Sequence, residues 1–190
     1  MGGKRRLVNC IAFDDSPFSK EYHGPVQVVA TVYAGLRLDG VLIGSVEKDG
    51  YDAATQLVEI VSKSRFHEHC NLIMLQGICL AGFNVVDAKK VHKGLSRPVL
   101  VVSRKKPDYQ SMRKALFEKI PNGKEKWKII EELGPMEPCE SCFVQRVGLG
   151  REEAREVINF FCINGNIPEP LRTAHLIAGA IGTGHSKGRV

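Results

Sequence analysis

Two adjacent aspartates end the first apolar segment of the chain, in the stretch CIAFDDSPF at residues 10–18. Asp14 and Asp15 can form a polar turn ahead of Ser16-Pro17, with side-chain hydrogen bonds to the backbone. They can also lie at the end of a strand and bind a cation, because hard divalent cations prefer oxygen ligands. Side chains alternate along a strand, so in the second interpretation only one aspartate has the principal role.

Positive charge is concentrated in one segment of the chain. The net charge is +6, and residues 89–128 contain 13 Lys or Arg against 3 Asp or Glu, whereas the other 150 residues contain 14 against 18. Such a local field suits a polyanionic partner, above all nucleic acid. Trp127, within KEKWK, is predicted to stack on a base. The alternative is a solvated basic face, which is common in small basic proteins.

Cysteine and histidine residues allow a further interpretation. Cys139 and Cys142 have the spacing of half a zinc site or of a dithiol redox centre, and the dense group His67, His69 and Cys70 lies about 70 residues earlier. A zinc site that joins both groups, a reversible disulfide and two reduced thiols all remain open. The glycines do not have the spacing of a dinucleotide-binding or phosphate-binding loop, so a nucleotide cofactor is not expected.

Hydrophobic periodicity predicts the elements that position these residues. Residues 7–13, 26–38 and 41–47 are predicted to form an antiparallel meander, with a hairpin turn at Asp39-Gly40. A helix from Asp52 then leads to a strand at 71–76. The remaining predicted elements are a helix at 87–94, a strand at 98–103, a helix at 109–119, a strand at 142–148, a helix from 151 and a last helix after Pro168. The pattern does not assign residues 121–141.

Size and composition predict one domain over residues 1–190, with a loosely ordered tail at about 182–190. No apolar segment approaches the roughly 18 residues of a membrane span. The apolar stretch after MGGKRR is too short for a signal peptide. We therefore expect a cytoplasmic protein that makes no use of a membrane.

An antiparallel meander followed by alternating helices and strands is the succession of the ribonuclease H-like fold, an α/β class with a mixed sheet flanked by helices. Over nearly its whole length the chain resembles the archaeal family of unknown function related to endonuclease V, the enzyme that nicks nucleic acid beside deaminated purines. The stretch NGNIPEPLRTAHLIA at 164–178 is similar to the carboxy-terminal signature of endonuclease V. The resemblance implies the fold and, as a separate question, an activity.

The resemblance also implies a site for Mg²⁺ or Mn²⁺ at adjacent strand ends, where carboxylates activate a water to attack a phosphodiester. Asp14 matches the first-strand aspartate of the family. Asp49, before Gly50, resembles its glutamate, although Asp49 can equally form an ordinary turn. Gln76 stands where endonuclease V has a further metal-binding aspartate. The implied metal ligands are therefore Asp14, Asp49 and Gln76, and the implied catalytic residues are these three and His175.

A glutamine at position 76 weakens the implied metal site. Its carbonyl oxygen can bind a hard cation but carries no charge, so metal affinity and the formation of metal-bound hydroxide should fall. The following stretch GICLAGFNVVD also lacks the histidine of endonuclease V, and Gly82-Phe83 stand in its place. Two functions stay open: a metal-dependent nuclease, and a nucleic-acid-binding homologue that cleaves weakly or not at all. A thiol-based regulatory protein is a third.

Cations and a histidine complete the predicted site. Arg104, followed by Lys105 and Lys106, lies near the place of a lysine in endonuclease V and is predicted to steady a phosphate. Arg172, which is predicted to bind nucleic acid, and His175 are three residues apart on the last predicted helix and share a face. His175 matches a histidine of the family signature and is predicted to orient a water or a phosphate, with a structural histidine as the alternative. The expected partner is DNA or RNA.

Overall fold

A computed structural model describes residues 6–186 of the chain. Its strands are β1 (Asn9–Asp15), β2 (Pro25–Ala34), β3 (Arg37–Glu47), β4 (Leu72–Gln76), β5 (Cys79–Leu80), β6 (Asn84–Val85), β7 (Val99–Ser103), β8 (Glu137–Cys139) and β9 (Cys142–Val147). Its helices are α1 (Ala53–Ser62), α2 (Ala88–Leu95), α3 (Tyr109–Lys119), α4 (Gly123–Leu133), α5 (Arg151–Phe161) and α6 (Glu169–Thr183).

Seven strands form one mixed sheet in the order β3-β2-β1-β4-β7-β9-β8, and β5 and β6 form a separate hairpin. The first three strands are an antiparallel meander, whereas β4 and β7 run parallel to β1. This is the predicted architecture of an antiparallel meander followed by parallel strands and flanked by helices. The carboxyl ends of β1, β4 and β7 therefore meet at one edge of the sheet.

Alternation along the central strands divides the core into two layers. Ile11 and Phe13 of β1 lie beneath helices α1 to α4, whereas Cys10 and Ala12 lie beneath α5 and α6. The near-continuous burial of β1, β4 and β7 fits strands that are covered on both faces. The direction of any side chain at the carboxyl edge follows from this alternation.

The predicted turn at Asp39-Gly40 is wrong. The chain reverses instead at Gly35-Leu36, because Ala34 pairs with Arg37 and Gly35 adopts a φ of 61°, which a glycine reaches without strain. Gly40 lies inside β3, where a Cβ atom would come within 2.5 Å of the Phe66 ring. This glycine permits close packing and does not form a turn.

The segment that periodicity left unassigned contains α4 and β8. Asn122 precedes α4 with a φ of 55°, and a Cβ atom on Gly123 would lie 1.9 Å from the carbonyl oxygen of Leu116. At the end of the chain α6 continues to Thr183, so the predicted loose tail begins inside a helix, and residues 187–190 lie outside the described part. Within residues 6–186, no helix is long and apolar enough to cross a membrane.

Candidate functional site

Asp14 lies at the carboxyl edge of the sheet and faces α6. It is only 6% exposed, and its carboxylate is held from two directions. Oδ1 accepts a hydrogen bond of 3.0 Å from the backbone N–H of Asp15, and Oδ2 lies 2.8 Å from Nδ1 of His175 on α6. The structure therefore brings together a strand aspartate and a helix histidine that the sequence separates by most of the chain.

Gln76 lies beside Asp14 on the neighbouring strand. Phe13 pairs with Leu75 in parallel register, so the next residues of the two strands, Asp14 and Gln76, are also neighbours. Gln76 follows Leu72 and Met74, which face the α5 and α6 layer, and alternation gives Gln76 the same direction. Its Oε1 is buried and has no hydrogen-bond partner within the described part of the chain. An unpaired buried oxygen is uncommon and indicates a place for a donor or a cation.

Asp49 is engaged elsewhere, in the turn that follows β3. Its Oδ1 accepts a hydrogen bond of 2.7 Å from the N–H of Phe83, and its own N–H donates to the carbonyl of Ala81 at 2.8 Å. A Cβ atom on Gly82 would come within 2.4 Å of that same Oδ1. Asp49 therefore binds the β5–β6 hairpin, and its role as a metal ligand stays a prediction without a contact that supports it.

Asp15 projects away from Asp14, as alternation requires. Burial raises the pKa of Asp15 to about 6, and the negative charge of Asp14 acts in the same direction. Hydrogen bonds from the N–H groups of Ala81 and of Asp15 itself, together with His175, oppose the increase. Ala81 thus bonds to both Asp15 and Asp49, so the two acids hold the same hairpin. The adjacent pair at the end of β1 therefore divides between the two faces of the sheet, with Asp14 toward α6 and Asp15 toward the β5–β6 hairpin.

Lys126 is a buried cation that sequence reasoning counted as part of the basic surface. It is 1% exposed, and its ammonium donates to the backbone carbonyl of Asp49. Burial lowers the pKa of Lys126, whereas Asp49 and Cys79 raise it. Burial also raises the pKa of the Cys79 thiol to about 12. The spacing of Lys126 with Gly123 and Ile130, the other buried residues of α4, was the signal that could have revealed it.

The basic loop after β7 lies at the same edge as Asp14 and Gln76. Arg104, Lys105 and Lys106 are exposed and follow β7 directly. The N–H of Gly77, which follows Gln76, donates to the carbonyl of Val102 at 2.9 Å and so joins the ends of β4 and β7. Cations in this loop can therefore bind a phosphate that lies against the carboxyl edge.

Trp127 and Arg172 have contacts within the protein. Trp127 is half-buried against the core layer beneath α1 to α4, and its Nε1 is buried without a partner in the described region. Both nitrogens of the Arg172 fork bond to Glu169, with Nε to Oε2 at 2.8 Å. The predicted contacts of these two residues with nucleic acid stay predictions.

The cysteine and histidine groups considered for zinc lie at opposite edges of the sheet. Cys139 and Cys142 face each other across the β8–β9 hairpin as free thiols, and β8 is one edge strand. His67 and His69 belong to the connection after α1, next to Phe66, which packs on β3 at the other edge. The two groups do not meet.

The oxygens of Asp14 and Gln76 fit a hard cation that takes few protein ligands. Magnesium is usually bound by one or two carboxylates with water and phosphate oxygens, and among residues 6–186 no group donates to Gln76 Oε1. Within residues 6–186, no three His, Cys, Asp or Glu side chains form a group that could hold a metal ion. A cation at this edge would therefore depend on water and on substrate oxygens for most of its ligands.

Comparison with known proteins gives full-length matches. The profile of the family described as Endonuclease dU matches residues 6–182. A UPF0215 protein of Deinococcus radiodurans is 48% identical over 184 residues, which are 97% of this chain and 94% of that protein. A UPF0215 protein of Methanosarcina mazei is 36% identical over 189 residues, which are 96% of this chain and 94% of that protein. The relatives are therefore bacterial as well as archaeal.

Solved structures show the same fold. A protein of unknown function from Archaeoglobus fulgidus aligns with a TM-score of 0.85 at 35% identity, over 92% of this chain and 98% of that one. Human endonuclease V aligns with a TM-score of 0.53 at 17% identity, over 90% of this chain and 83% of that one. Endonuclease V of Ciona intestinalis, solved with DNA that contains an inosine, aligns with a TM-score of 0.56 at 14% identity. The alignment covers 89% of this chain and 83% of that one. The predicted ribonuclease H-like fold is confirmed.

Proposed function

Since the chain belongs to the endonuclease dU family, we propose that it is an endonuclease that cleaves DNA beside deoxyuridine, with Mg²⁺ or Mn²⁺ as cofactor. The observation that carries the proposal is the carboxyl edge of the sheet. There the Asp14 carboxylate, bound to His175, lies beside Gln76, whose Oε1 has no hydrogen bond from the described residues, and next to an exposed basic loop. Open α/β sheets bind their ligands at this edge.

The residues at the carboxyl edge of the sheet have different roles in the proposed cleavage of a phosphodiester. Asp14 and Gln76 would hold the cation, which would supply an acidified water and charge neutralisation at the phosphate. His175 positions the Asp14 carboxylate through the 2.8 Å contact of its Nδ1. Arg104 and the two lysines after it bind the strand on either side of the reacting phosphate.

A labelled DNA duplex with one deoxyuridine tests the activity. The same duplex with deoxyinosine, and without modification, gives the base preference, and Mg²⁺, Mn²⁺ and EDTA give the metal dependence. We expect incision of the deoxyuridine strand that Asp14→Asn abolishes and that His175→Ala lowers by about 10- to 100-fold. The matched control is Asp39→Asn, because Asp39 lies on β3, away from the carboxyl edge. Incision that survives Asp14→Asn contradicts the site.

A nucleic-acid-binding homologue without efficient cleavage is the second candidate, and Gln76 favours it. A neutral ligand in place of a carboxylate weakens the attraction of a divalent cation. In this case the unaltered protein binds the duplex but does not cut it, and Gln76→Asp gives metal-dependent incision. A thermal unfolding curve of Gln76→Asp separates loss of folding from loss of activity. Absence of both binding and cutting in both forms excludes the two functions together.

A further inference from the structure

The two edges of the seven-stranded sheet differ in how open they are to another strand. β8, at one edge, is three residues long and contains Pro138. β3, at the other edge, has 11 residues, none of which is proline or lysine. Proteins usually protect a sheet edge with short strands, prolines or lysines, because a long unprotected edge pairs with other chains. β3 lacks these protections.

The outer side of β3 presents a row of backbone donors and acceptors. The N–H of Glu47 points away from β2, because it donates to Oδ1 of Asp52 at 3.2 Å. Backbone groups alternate in direction along a strand, so the N–H and C=O groups of Val41, Ile43 and Ser45 point away from β2 as well. Within residues 6–186, no strand pairs with this side of β3. These groups can therefore bond to a strand of another chain.

One face of β3 is covered and the other is exposed. Gly44 lies beneath Ile60 of α1, where it has no room for a Cβ atom, so positions 41 and 43 face the opposite side of the sheet. Leu38 faces this side too, because it pairs with Tyr33 of the core layer beneath α5 and α6. On this side α6 packs on β1 and β2. The exposed apolar row of β3 consists of Leu38, Val41 and Ile43.

The sequence of β3 is complementary to itself. When two copies of the strand lie antiparallel and are centred on Leu42, Val41 of each copy lies opposite Ile43 of the other. Both residues have outward backbone groups, so each such pair can exchange both of its N–H···O bonds. The exposed apolar rows of the two copies then lie side by side on one face of the joined sheet.

Charges near the ends of β3 favour this register. Arg37 and Glu47 are equally distant from Leu42, so each Arg37 comes level with Glu47 of the other copy. Opposite charges at the same level across two strands are stabilising, and like charges are unfavourable. Centring the pair on Ile43 instead would bring Asp39 level with Glu47. The same strand therefore fits a second copy of itself best in one register.

We propose that β3 is the interface of a symmetric dimer, in which a second copy of this chain pairs antiparallel with β3 and doubles the seven-stranded sheet. The pairing bonds the outward backbone groups of both copies and joins their apolar rows, and a twofold axis makes the contact self-complementary. Because the two strands run in opposite directions, the carboxyl edges with Asp14 lie at opposite ends of the joined sheet and both stay open. The dimer does not depend on the proposed nuclease activity.

Analytical ultracentrifugation of the full chain tests the interface. We expect a species of twice the 21.0 kDa chain mass at about 100 µM protein, and its dissociation on dilution gives the dimer affinity. Ile43→Lys should lower this affinity at least about tenfold, because it places a lysine at the outer edge of β3, within the apolar row. Ile163→Lys, in the connection between α5 and α6, is the matched control and should keep the dimer, since Ile163 is 50% exposed and Ile43 is 57% exposed.

A charge exchange tests the register of the two strands. Val41→Glu alone should also weaken the dimer, because it sets a carboxylate opposite Ile43 of the other copy. An equimolar mixture of the Val41→Glu and Ile43→Lys proteins should form a dimer about tenfold tighter than either variant alone. In the mixed pair the new carboxylate lies opposite the new ammonium, and the second Val41–Ile43 contact is kept. Both positions are exposed, so circular dichroism should show a folded protein for each variant.

Each outcome supports or overturns the dimer. A single species of the mass of one chain at about 100 µM overturns it and leaves the edge of β3 to a different partner. A dimer that Val41→Glu and Ile43→Lys both keep, or that Ile163→Lys weakens equally, has its interface elsewhere and also overturns the proposal. Single variants that weaken the dimer, with a mixture that is no tighter than either, refute the pairing centred on Leu42. Weakening by both single variants and recovery in the mixture support it.

Discussion

Replacing Asp15 with asparagine should stabilise the protein at neutral pH. Burial raises the pKa of this carboxyl from 3.8 to about 6, so the folded protein holds the ionised form at a cost. At 1.36 kcal/mol for each pH unit, the difference corresponds to about 3 kcal/mol of unfolding free energy at pH 7. Asparagine has a similar shape, keeps a side-chain oxygen that can accept from the N–H of Ala81, and does not ionise.

The direction of this stability change follows from the number of protons that the folded and unfolded chains bind. Below about pH 4, Asp15 is protonated in both folded and unfolded chains and contributes no difference. Between about pH 4 and pH 6 the unfolded chain loses this proton while the folded chain keeps it, so the unfolding free energy falls as the pH rises. Asp15→Asn should therefore match the unaltered protein at pH 4 and exceed it by up to about 3 kcal/mol at pH 7.

Urea unfolding at a series of pH values measures the effect, with the fluorescence of Trp127, the single tryptophan, as the signal. Asp108→Asn is the control, and its stability change at neutral pH should have the opposite sign. Hydrogen bonds from Ser111 lower the pKa of the exposed Asp108, so this variant should be less stable at neutral pH and the difference should disappear on acidification. The reasoning fails if Asp15→Asn is no more stable at pH 7, or if its advantage is the same at pH 4.

Two further predictions concern packing and charge. Gly123→Ala should destabilise the protein by about 3 kcal/mol in urea unfolding, because its Cβ atom would meet the backbone of Leu116. Gly179→Ala on α6, where the nearest atom is 3.8 Å away, should stabilise the protein by about 0.5–1 kcal/mol. Equal effects of the two substitutions would contradict a tight α3–α4 connection. Lys106→Ala should reduce the slope of log affinity for DNA against log salt by about 1, while Arg155→Ala, whose guanidinium pairs with a glutamate far from the carboxyl edge, should leave it unchanged. A slope that changes equally in both variants would place the DNA on another surface.

The sequence predicted the elements well where their local pattern agreed with the packing. The acids at the end of β1 and the proline before α6 marked their elements because a strand end and a helix start have local causes. The predicted turn at Asp39-Gly40 was wrong because a glycine can allow either a chain reversal or a close contact. The contact here is with the Phe66 ring, which lies far along the chain.

The candidate site came in part from the resemblance to endonuclease V. The resemblance implied Asp14, Gln76 and His175, and the structure places Gln76 beside Asp14 and His175 in contact with Asp14. The partner of Asp49 could not be inferred, because the β5–β6 hairpin bonds to it through backbone groups that carry no sequence signal. Lys126 was missed because a lysine within a basic segment is normally exposed, and its hydrogen-bond partner, the carbonyl of Asp49, lies far from it in the sequence.

The contact between Gly82 and Asp49 restricts how this chain could evolve. Position 82 has a φ of 85° and no room for a Cβ atom beside the Asp49 carboxylate. Any side chain at position 82 would therefore strain the backbone and displace the Asp49 carboxylate. Gly82 can therefore not be exchanged freely while the Asp49 carboxylate keeps its place.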